Sequence, residues 1–337
     1  MSILVTGAAG FIGSNFVRYY IETHPEEEVV CLDALTYAGN LENLEPYLSS
    51  GATEFFRADI GDFDEVSRIL KEKRVDTIVN FAAESHNSLA ILDPKRFFAT
   101  NVLGTQALCD AALKASVGRL HHISTCEVYG DLALDSDEKF REDSPYRPRT
   151  PYNASKAASD HVVRCYFETF QLPVTITNCC NNYGPYQFPE KVIPLFLSRA
   201  FDDKPLPVYK SSANRREWIH VLDHCRAVDV VLRQGVVGET YHVGTGREAS
   251  VSEIAGFVLK FTGRPDSLTE VVPDRPGHDR RYLLDSSKIA RELGWEPSID
   301  FEIGLEDTVK WYRENEGWWR KLIGRSPVVE GTWSEQK

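Results

Sequence analysis

The sequence predicts an α/β protein: a doubly wound parallel sheet with a smaller C-terminal α/β lobe. Three observations predict it. Short apolar runs alternate with segments of helical length through the first half of the chain, the pattern of parallel strands joined by crossover helices. Three glycines, Gly7, Gly10 and Gly13, stand between the first apolar run and the first helical segment. After about Gly184 the alternation gives way to connections rich in proline, at Pro185, Pro189, Pro194, Pro205 and Pro207.

In chain order, strands are expected at 3–6, 29–32, 53–57, 77–81, 120–124 and 174–178, and helices at 12–23, 63–73, 96–116 and 152–170. Each strand is a short apolar run; each helix has the length and apolar spacing of an amphipathic turn pattern. The crossovers are right-handed. The segment 223–243 returns to the sheet, since HCRAVDVVLRQG reads as an apolar helix and GETYHVGTG as a strand and turn. The expected division is residues 1–184 plus about 222–246 for a dinucleotide-binding domain, with about 185–221 and 247–337 forming the second lobe. In such folds the ligand lies beyond the strand C-termini. The acidic stretch 135–151 and the polar tail after Pro327 are expected to be loose.

A chain of 337 residues can bury a large core. A net charge of -12 argues against nucleic acid as a partner. No run of eighteen apolar residues suits a membrane span, and the apolar start is a strand leading into a glycine turn rather than a signal sequence, so a cytoplasmic protein is expected. The seven cysteines are scattered, odd in number and without zinc spacing; reduced thiols and no metal are expected.

The run ILVTGAAGFIGSNFV places its glycines after a strand and at the opening of a helix, the context of a dinucleotide site in a Rossmann-type sheet. Gly7 permits the tight turn, Gly10 lets backbone approach a pyrophosphate, Gly13 allows close helix packing, and the helix N-terminus favours the anion. Asp33 ends the second strand, where a carboxylate accepts both ribose hydroxyls and repels a 2'-phosphate, so NAD is favoured over NADP. Asp59, at the end of the third strand, meets an adenine amino group or simply caps the next helix.

Tyr152 and Lys156 stand four apart on a helix and share a face. The ammonium beside the phenol would lower a pKa that is about 10 when unperturbed. A phenolate can take a hydroxyl proton while hydride leaves the carbon for a nicotinamide. Glu127 follows the fifth strand closely and belongs at its C-terminal edge, as a base toward a substrate or as a solvated carboxylate.

The blocks TGAAGFIG, LDALTYAGNLENL, RADIGD, FAAESH, HHISTCEVYGD, PYNASKAASD, NNYGPYQFPEKVIPLF, NRREWIHVLDH and DRPGHDRRYLLD together resemble the extended short-chain dehydrogenase/reductase family, and within it the nucleotide-sugar 4,6-dehydratases. The resemblance runs from Ile3 to about Trp311. It implies tightly bound NAD, a nucleotide-linked hexose (dTDP-glucose or a UDP-sugar), and a homodimer through the helices 96–116 and 152–170. It adds Phe11, Ile12, Ile60, Ala82 and Ala83 to the cofactor contacts. It implies oxidation at carbon 4 by Tyr152 with Lys156 and Thr125, proton abstraction at carbon 5 by Glu127, loss of water, and return of hydride to carbon 6. Ser85, His86, Asn181, Glu190, Lys191, Arg216, Arg275 and His278 stand where relatives hold the substrate.

The chain departs from the family pattern at three places. Cys126 replaces the Asp that protonates the departing hydroxyl; a thiol with a pKa near 8.5 is already protonated at neutral pH, so Cys126 is expected either as the acid or as the mark of a different chemistry. Asn87, Ser88, Leu89 and Ala90 replace Val-Asp-Arg-Ser beside the hexose. His242 replaces an Asn in the strand expected to face the diphosphate. Cys126 and the Asn87–Ala90 segment keep open a related UDP-sugar enzyme, either a 5,6-ene-forming dehydratase or a 4-epimerase; a non-catalytic NAD-binding regulator is the remote alternative, against which Tyr152, Lys156, Thr125 and Glu127 all stand.

Overall fold

The computed structural model describes residues 1–274 and 276–325. Ser2–Thr6 (β1) passes through the glycine turn into Phe11–Thr23 (α1), and the chain continues through Glu28–Asp33 (β2), Glu45–Ser49 (α2), Thr53–Arg57 (β3), Phe63–Glu72 (α3) and Thr77–Asn80 (β4). Asn87–Leu92 (α4), Pro94–Phe98 (α5), Thr105–Ala115 (α6), Arg119–Thr125 (β5), Pro151–Phe170 (α7) and Val174–Cys179 (β6) follow. Next come Asn181–Tyr183 (β7), Val192–Phe201 (α8), Leu206–Tyr209 (β8), Arg215–His220 (β9), Val221–Gln234 (α9) and Thr240–Val243 (β10). The chain closes with Glu248–Ser250 (β11), Val251–Thr262 (α10), Thr269–Val272 (β12), Ser287–Leu293 (α11), Phe301–Glu314 (α12) and Glu316–Arg320 (α13).

Seven strands form one parallel sheet in the order β10-β6-β5-β4-β1-β2-β3, with Ile3 of β1 between Val29 of β2 and Thr77 of β4. Because side chains alternate across a strand, Leu4, Val30 and Ile78 face α3, α6 and α7, while Ile3, Val5 and Val29 face Phe16 and Val17 of α1 and Val228 of α9. Both faces are covered, which is why these strands read as continuous apolar runs. The winding reverses between β1 and β4, and a crevice opens there at the strand C-termini.

The second lobe holds the three-stranded sheet β11-β9-β7 and the pair β12-β8 around Phe196, Trp218, Leu259, Leu305 and Trp319. Its last helix reaches back to the first domain. Trp318 Nε1 donates to Asn43 Oδ1 at 2.8 Å, and Asn43 Nδ2 donates to the Ala9 carbonyl at 3.0 Å, so α13 braces the glycine turn.

Three expectations are corrected. The helix expected at 96–116 is interrupted by a π-helical turn, Ala99–Gly104. The added residue turns Asn101 inward, where its amide bonds the Glu84 N–H and carbonyl at 2.9 and 3.0 Å and Ser155 Oγ at 2.8 Å; such bulges carry no apolar signature. The stretch 135–151 is not loose. Phe140 exchanges backbone hydrogen bonds with Leu283 and Asp285 at 2.8 and 2.7 Å, and Tyr146 donates to buried Asp160 at 2.9 Å. Finally, Tyr282, Leu284, Ile289 and Trp295, expected in the second lobe, pack with Val231, Tyr241 and Val243 of the first domain. The tail after Pro327 lies outside the described residues.

Candidate active site

The glycine turn is built for close approach. Gly7 adopts φ +64°, and a Cβ on it would lie 2.7 Å from the Ala82 nitrogen; a Cβ on Gly13 would lie 2.2 Å from the Gly7 carbonyl oxygen. Only glycine leaves this space open. Beside it, the Asp33 carboxylate is held by the N–H groups of Ala9 at 3.0 Å and Leu35 at 2.7 Å, while burial pushes its pKa upward. Asp59 accepts from the Gly61 N–H at 2.7 Å and is not the cap of α3, a role taken by Asp62. With Phe11, Ile12, Ile60, Ala82 and Ala83 these residues line one end of a cleft of about 970 Å³. A glycine cradle that any Cβ would fill, beside a carboxylate fixed at the end of β2, fits a dinucleotide whose ribose lacks a 2'-phosphate.

Farther along the same cleft lie Thr125, Glu127, Tyr152 and Lys156. Thr125 ends β5 and its Oγ1 accepts the Glu127 N–H at 3.2 Å. Tyr152 stands in the first turn of α7, which begins with Pro151 at its N-terminus and is capped by Thr150 Oγ1 accepting the Asn153 N–H at 3.2 Å. Its ring meets Phe97 edge-on at 6.3 Å. Burial pushes the phenol well above its ordinary value, with Glu127, Cys179 and Cys126 adding to the rise, and a hydrogen bond with Thr125 opposes it. The lowered phenol expected from the Lys156 spacing is therefore not what this structure shows. Lys156 Nζ instead donates to the Ile123 carbonyl at 2.8 Å and lies 3.2 Å from His122 Nε2, and burial lowers its own pKa.

At the far end, Ser85, His86, Asn181, Glu190, Lys191, Arg216 and His278 also line the cleft. Lys191 Nζ donates to the Ser85 carbonyl at 3.0 Å, and Glu190 accepts from Tyr37 at 2.7 Å and lies 3.5 Å from His86 Nε2. Arg216 rests over the Tyr282 ring and donates to the Asp279 carbonyl at 2.7 Å. His278 Nδ1 lies 3.1 Å from Ser211 Oγ. Arg275 lies outside the described residues.

Two departures end up away from the cleft. Cys126 is 1% exposed, packs with Val128, Tyr129 and Ala157, and is absent from the cleft lining; burial drives its pKa well above the ordinary thiol value. A sealed thiol cannot hand a proton to a group in the cleft, so its expected role as the acid is withdrawn. His242 is also fully buried, bonded through Nε2 to the Tyr129 hydroxyl at 2.7 Å, and does not face a diphosphate. The third departure does reach the site: Asn87 Nδ2 donates to Glu127 Oε2 at 3.1 Å. Sequence reasoning left it without a role, although the break in the family pattern after His86 marked the spot. Cys179, treated as a core residue, lines the cleft as well.

The model for the GDP-mannose 4,6 dehydratase family matches residues 4–308. The low-salt glycan biosynthesis protein Agl12 of Haloferax volcanii is 50% identical over 93% of this chain and 98% of its own. A dTDP-glucose 4,6-dehydratase of Neisseria meningitidis serogroup B is 44% identical over 97% of this chain and 98% of its own. Among solved structures, DesIV, a dTDP-glucose 4,6-dehydratase from Streptomyces venezuelae with NAD and TYD bound, superposes with a TM-score of 0.92 at 49% identity, covering 96% of this chain and all of that one.

Proposed function

Since this chain belongs to the GDP-mannose 4,6 dehydratase family, within the extended short-chain dehydrogenase/reductase fold, we propose that it is a nucleotide-sugar 4,6-dehydratase that converts dTDP-glucose to dTDP-4-keto-6-deoxyglucose. The observation that carries this reading is Glu127 in one cleft with Tyr152 and Thr125. Oxidation of an alcohol needs the phenol alone; loss of water across carbons 5 and 6 needs a second base.

NAD, when bound, accepts the hydride of carbon 4 and returns it to carbon 6. Tyr152 takes the 4-hydroxyl proton, with Thr125 hydrogen-bonded beside it, and Lys156 one turn along α7 is held by the Ile123 carbonyl. The ketone at carbon 4 acidifies the proton on carbon 5, which Glu127 abstracts. The hydroxyl of carbon 6 leaves as water, protonated through water in the cleft that is restored by the proton Tyr152 took, because Cys126 is sealed behind the wall; as hydride reaches carbon 6, Glu127 returns its proton to carbon 5. Asn181, Glu190, Lys191, Arg216 and His278 hold the nucleotide diphosphate; a guanidinium fork such as that of Arg216 matches phosphate geometry. Asp33 and Asp59 hold the adenosine of the cofactor.

The test is product analysis. Incubated with dTDP-glucose and, separately, UDP-glucose, the protein is expected to yield a 4-keto-6-deoxy sugar from the former, identified by NMR and mass spectrometry. A 5,6-ene or a 4-epimer would overturn the assignment in favour of a related enzyme. We infer a homodimer from the outward-facing Phe98, Leu103 and Phe170 on the α5 to α7 layer, to be checked by light scattering. A cytoplasmic setting is supported by seven free cysteines and is checked by cell fractionation; no helix among the described residues is long and apolar enough to cross a membrane.

A further inference from the structure

We propose that Asn87 is a positioning residue of the dehydration step: its carboxamide fixes Glu127 in the cleft and ties it to Thr150, the cap of the helix that carries Tyr152. The proposal rests on Glu127 as the base at carbon 5.

The hydrogen bonds determine which way the amide faces. Thr150 Oγ1 receives the Asn153 N–H at 3.2 Å, and its single hydrogen is given to Asn87 Oδ1 at 2.9 Å. An ionised carboxylate only accepts, so the amide turns its NH₂ to Glu127 Oε2, 3.1 Å away, and its oxygen to the Thr150 hydroxyl. The Asn87 NH₂ thus meets the carboxylate with a donor. Asn87 is itself held as the first residue of α4, whose cap is the His86 imidazole accepting the Leu89 N–H at 3.1 Å. Thr150 is 5% exposed, so the anchor is rigid. The chain Glu127, Asn87, Thr150, α7 thus links the base of the second step to the acceptor of the first, across sequence separations of 40 and 63 residues.

Other ionisable groups stand within reach of the Glu127 charge, which raises the pKa of each: Tyr152 of α7, its neighbour Cys126, Cys179 of β6, and Asp279 and Tyr282 of the segment after β12. Arg216 of β9 acts in turn on Cys126, Asp279 and Tyr282. Asn87 Nδ2 donates to the Glu127 carboxylate from among them.

Two variants test the proposal with dTDP-glucose in deuterated water. Asn87→Leu keeps the volume and removes both hydrogen-bonding ends; Asn87→Asp keeps the shape and the acceptor for Thr150 while facing Glu127 with a second carboxylate. Asn87→Leu is expected to slow deuterium entry at carbon 5 and overall dehydration about ten- to a hundredfold, the size of a lost hydrogen bond to a charged group. Oxidation at carbon 4 in a single turnover and KM should stay within about threefold of the parent, since these steps do not use the Glu127 base. Asn87→Asp is expected to move the acid limb of the kcat profile to higher pH, because a like charge disfavours the ionised base. The proposal is overturned if both variants exchange carbon 5 at the parental rate with the parental acid limb, or if Asn87→Leu loses oxidation and exchange equally. A parent protein that makes no 4-keto-6-deoxy sugar removes the functional reading itself, and the positioning role with it; a parent that makes it while the variants are unchanged removes the positioning role alone.

Discussion

Burial governs the proton affinities around Tyr152. The phenol is driven upward by its surroundings and Lys156 downward by its own, so burial moves the two apart and favours the neutral form of each. Tyr152→Phe keeps the ring against Phe97 and removes the acceptor. Turnover is expected to fall about a hundred- to ten-thousand-fold while NAD affinity, read by calorimetric titration, stays near the parental value; near-normal turnover would sink the assignment. Cys126→Ala is the contrasting case. Its sulfur is enclosed by Val128, Tyr129 and Ala157, so dehydration should remain within about threefold, while the fold loses about 1 kcal/mol from the void left in the core, measured by denaturant titration. A hundredfold loss of rate with unchanged stability would restore the thiol to the chemistry.

At the level of the element, the turn between β1 and α1 depends on two backbone approaches rather than on side chains. Gly13→Ala would set a methyl 2.2 Å from the Gly7 carbonyl oxygen, and backbone, unlike a flexible side chain, cannot step aside cheaply. The start of α1 must shift, which is expected to weaken NAD binding at least tenfold and to cost about 1–3 kcal/mol of stability as overpacking does. Unchanged affinity in a fluorescence titration would show that the cofactor is held elsewhere. The π-helical turn at Ala99–Gly104 serves the same cleft from the other side, since it aims Asn101 at Glu84, a cleft-lining residue.

In the molecule as a whole, the two lobes are joined through buried polar groups. Glu217 of β9 accepts the N–H groups of Thr245 at 2.8 Å, Gly246 at 2.6 Å and Leu284 at 3.0 Å, tying the second lobe to the turn after β10 and to the segment before α11. Burial nevertheless raises its pKa from 4.5 to about 7, outweighing those three bonds. Between these values the unfolded carboxyl is ionised while the folded one keeps its proton, so the folded state binds more protons and stability falls as pH rises through the window. The fall levels off above about pH 7 and amounts to roughly 3–4 kcal/mol for a shift of this size. Urea midpoints measured from pH 4.5 to 8 should show this slope, and Glu217→Gln should flatten it; an unchanged slope in that variant would assign it to other groups.

Strands β1 to β6, helices α1, α3 and α7, and the glycine turn were legible in the chain because they are written in neighbouring residues: a period of two or 3.6, and glycine where no Cβ fits. Asp33, Tyr152, Lys156 and Glu127 were legible for the same reason, each placed by its distance from the end of a strand or along a helix. The tertiary structure alone decided the rest. Cys126 and Glu127 are adjacent in sequence, yet one side chain enters the core and the other the cleft, a choice made by the 3₁₀ turn Cys126–Tyr129 and what packs on it. The ordering of 135–151 depends on Leu283 and Asp285, more than a hundred residues away, and the docking of Tyr282, Leu284, Ile289 and Trp295 depends on Val231, Tyr241 and Val243, tens of residues away. Asn87 meets Glu127 only because α4 and the end of β5 border the same crevice. No local pattern encodes such pairs, since the free energy that selects them belongs to packing between elements and not to the propensities of either one.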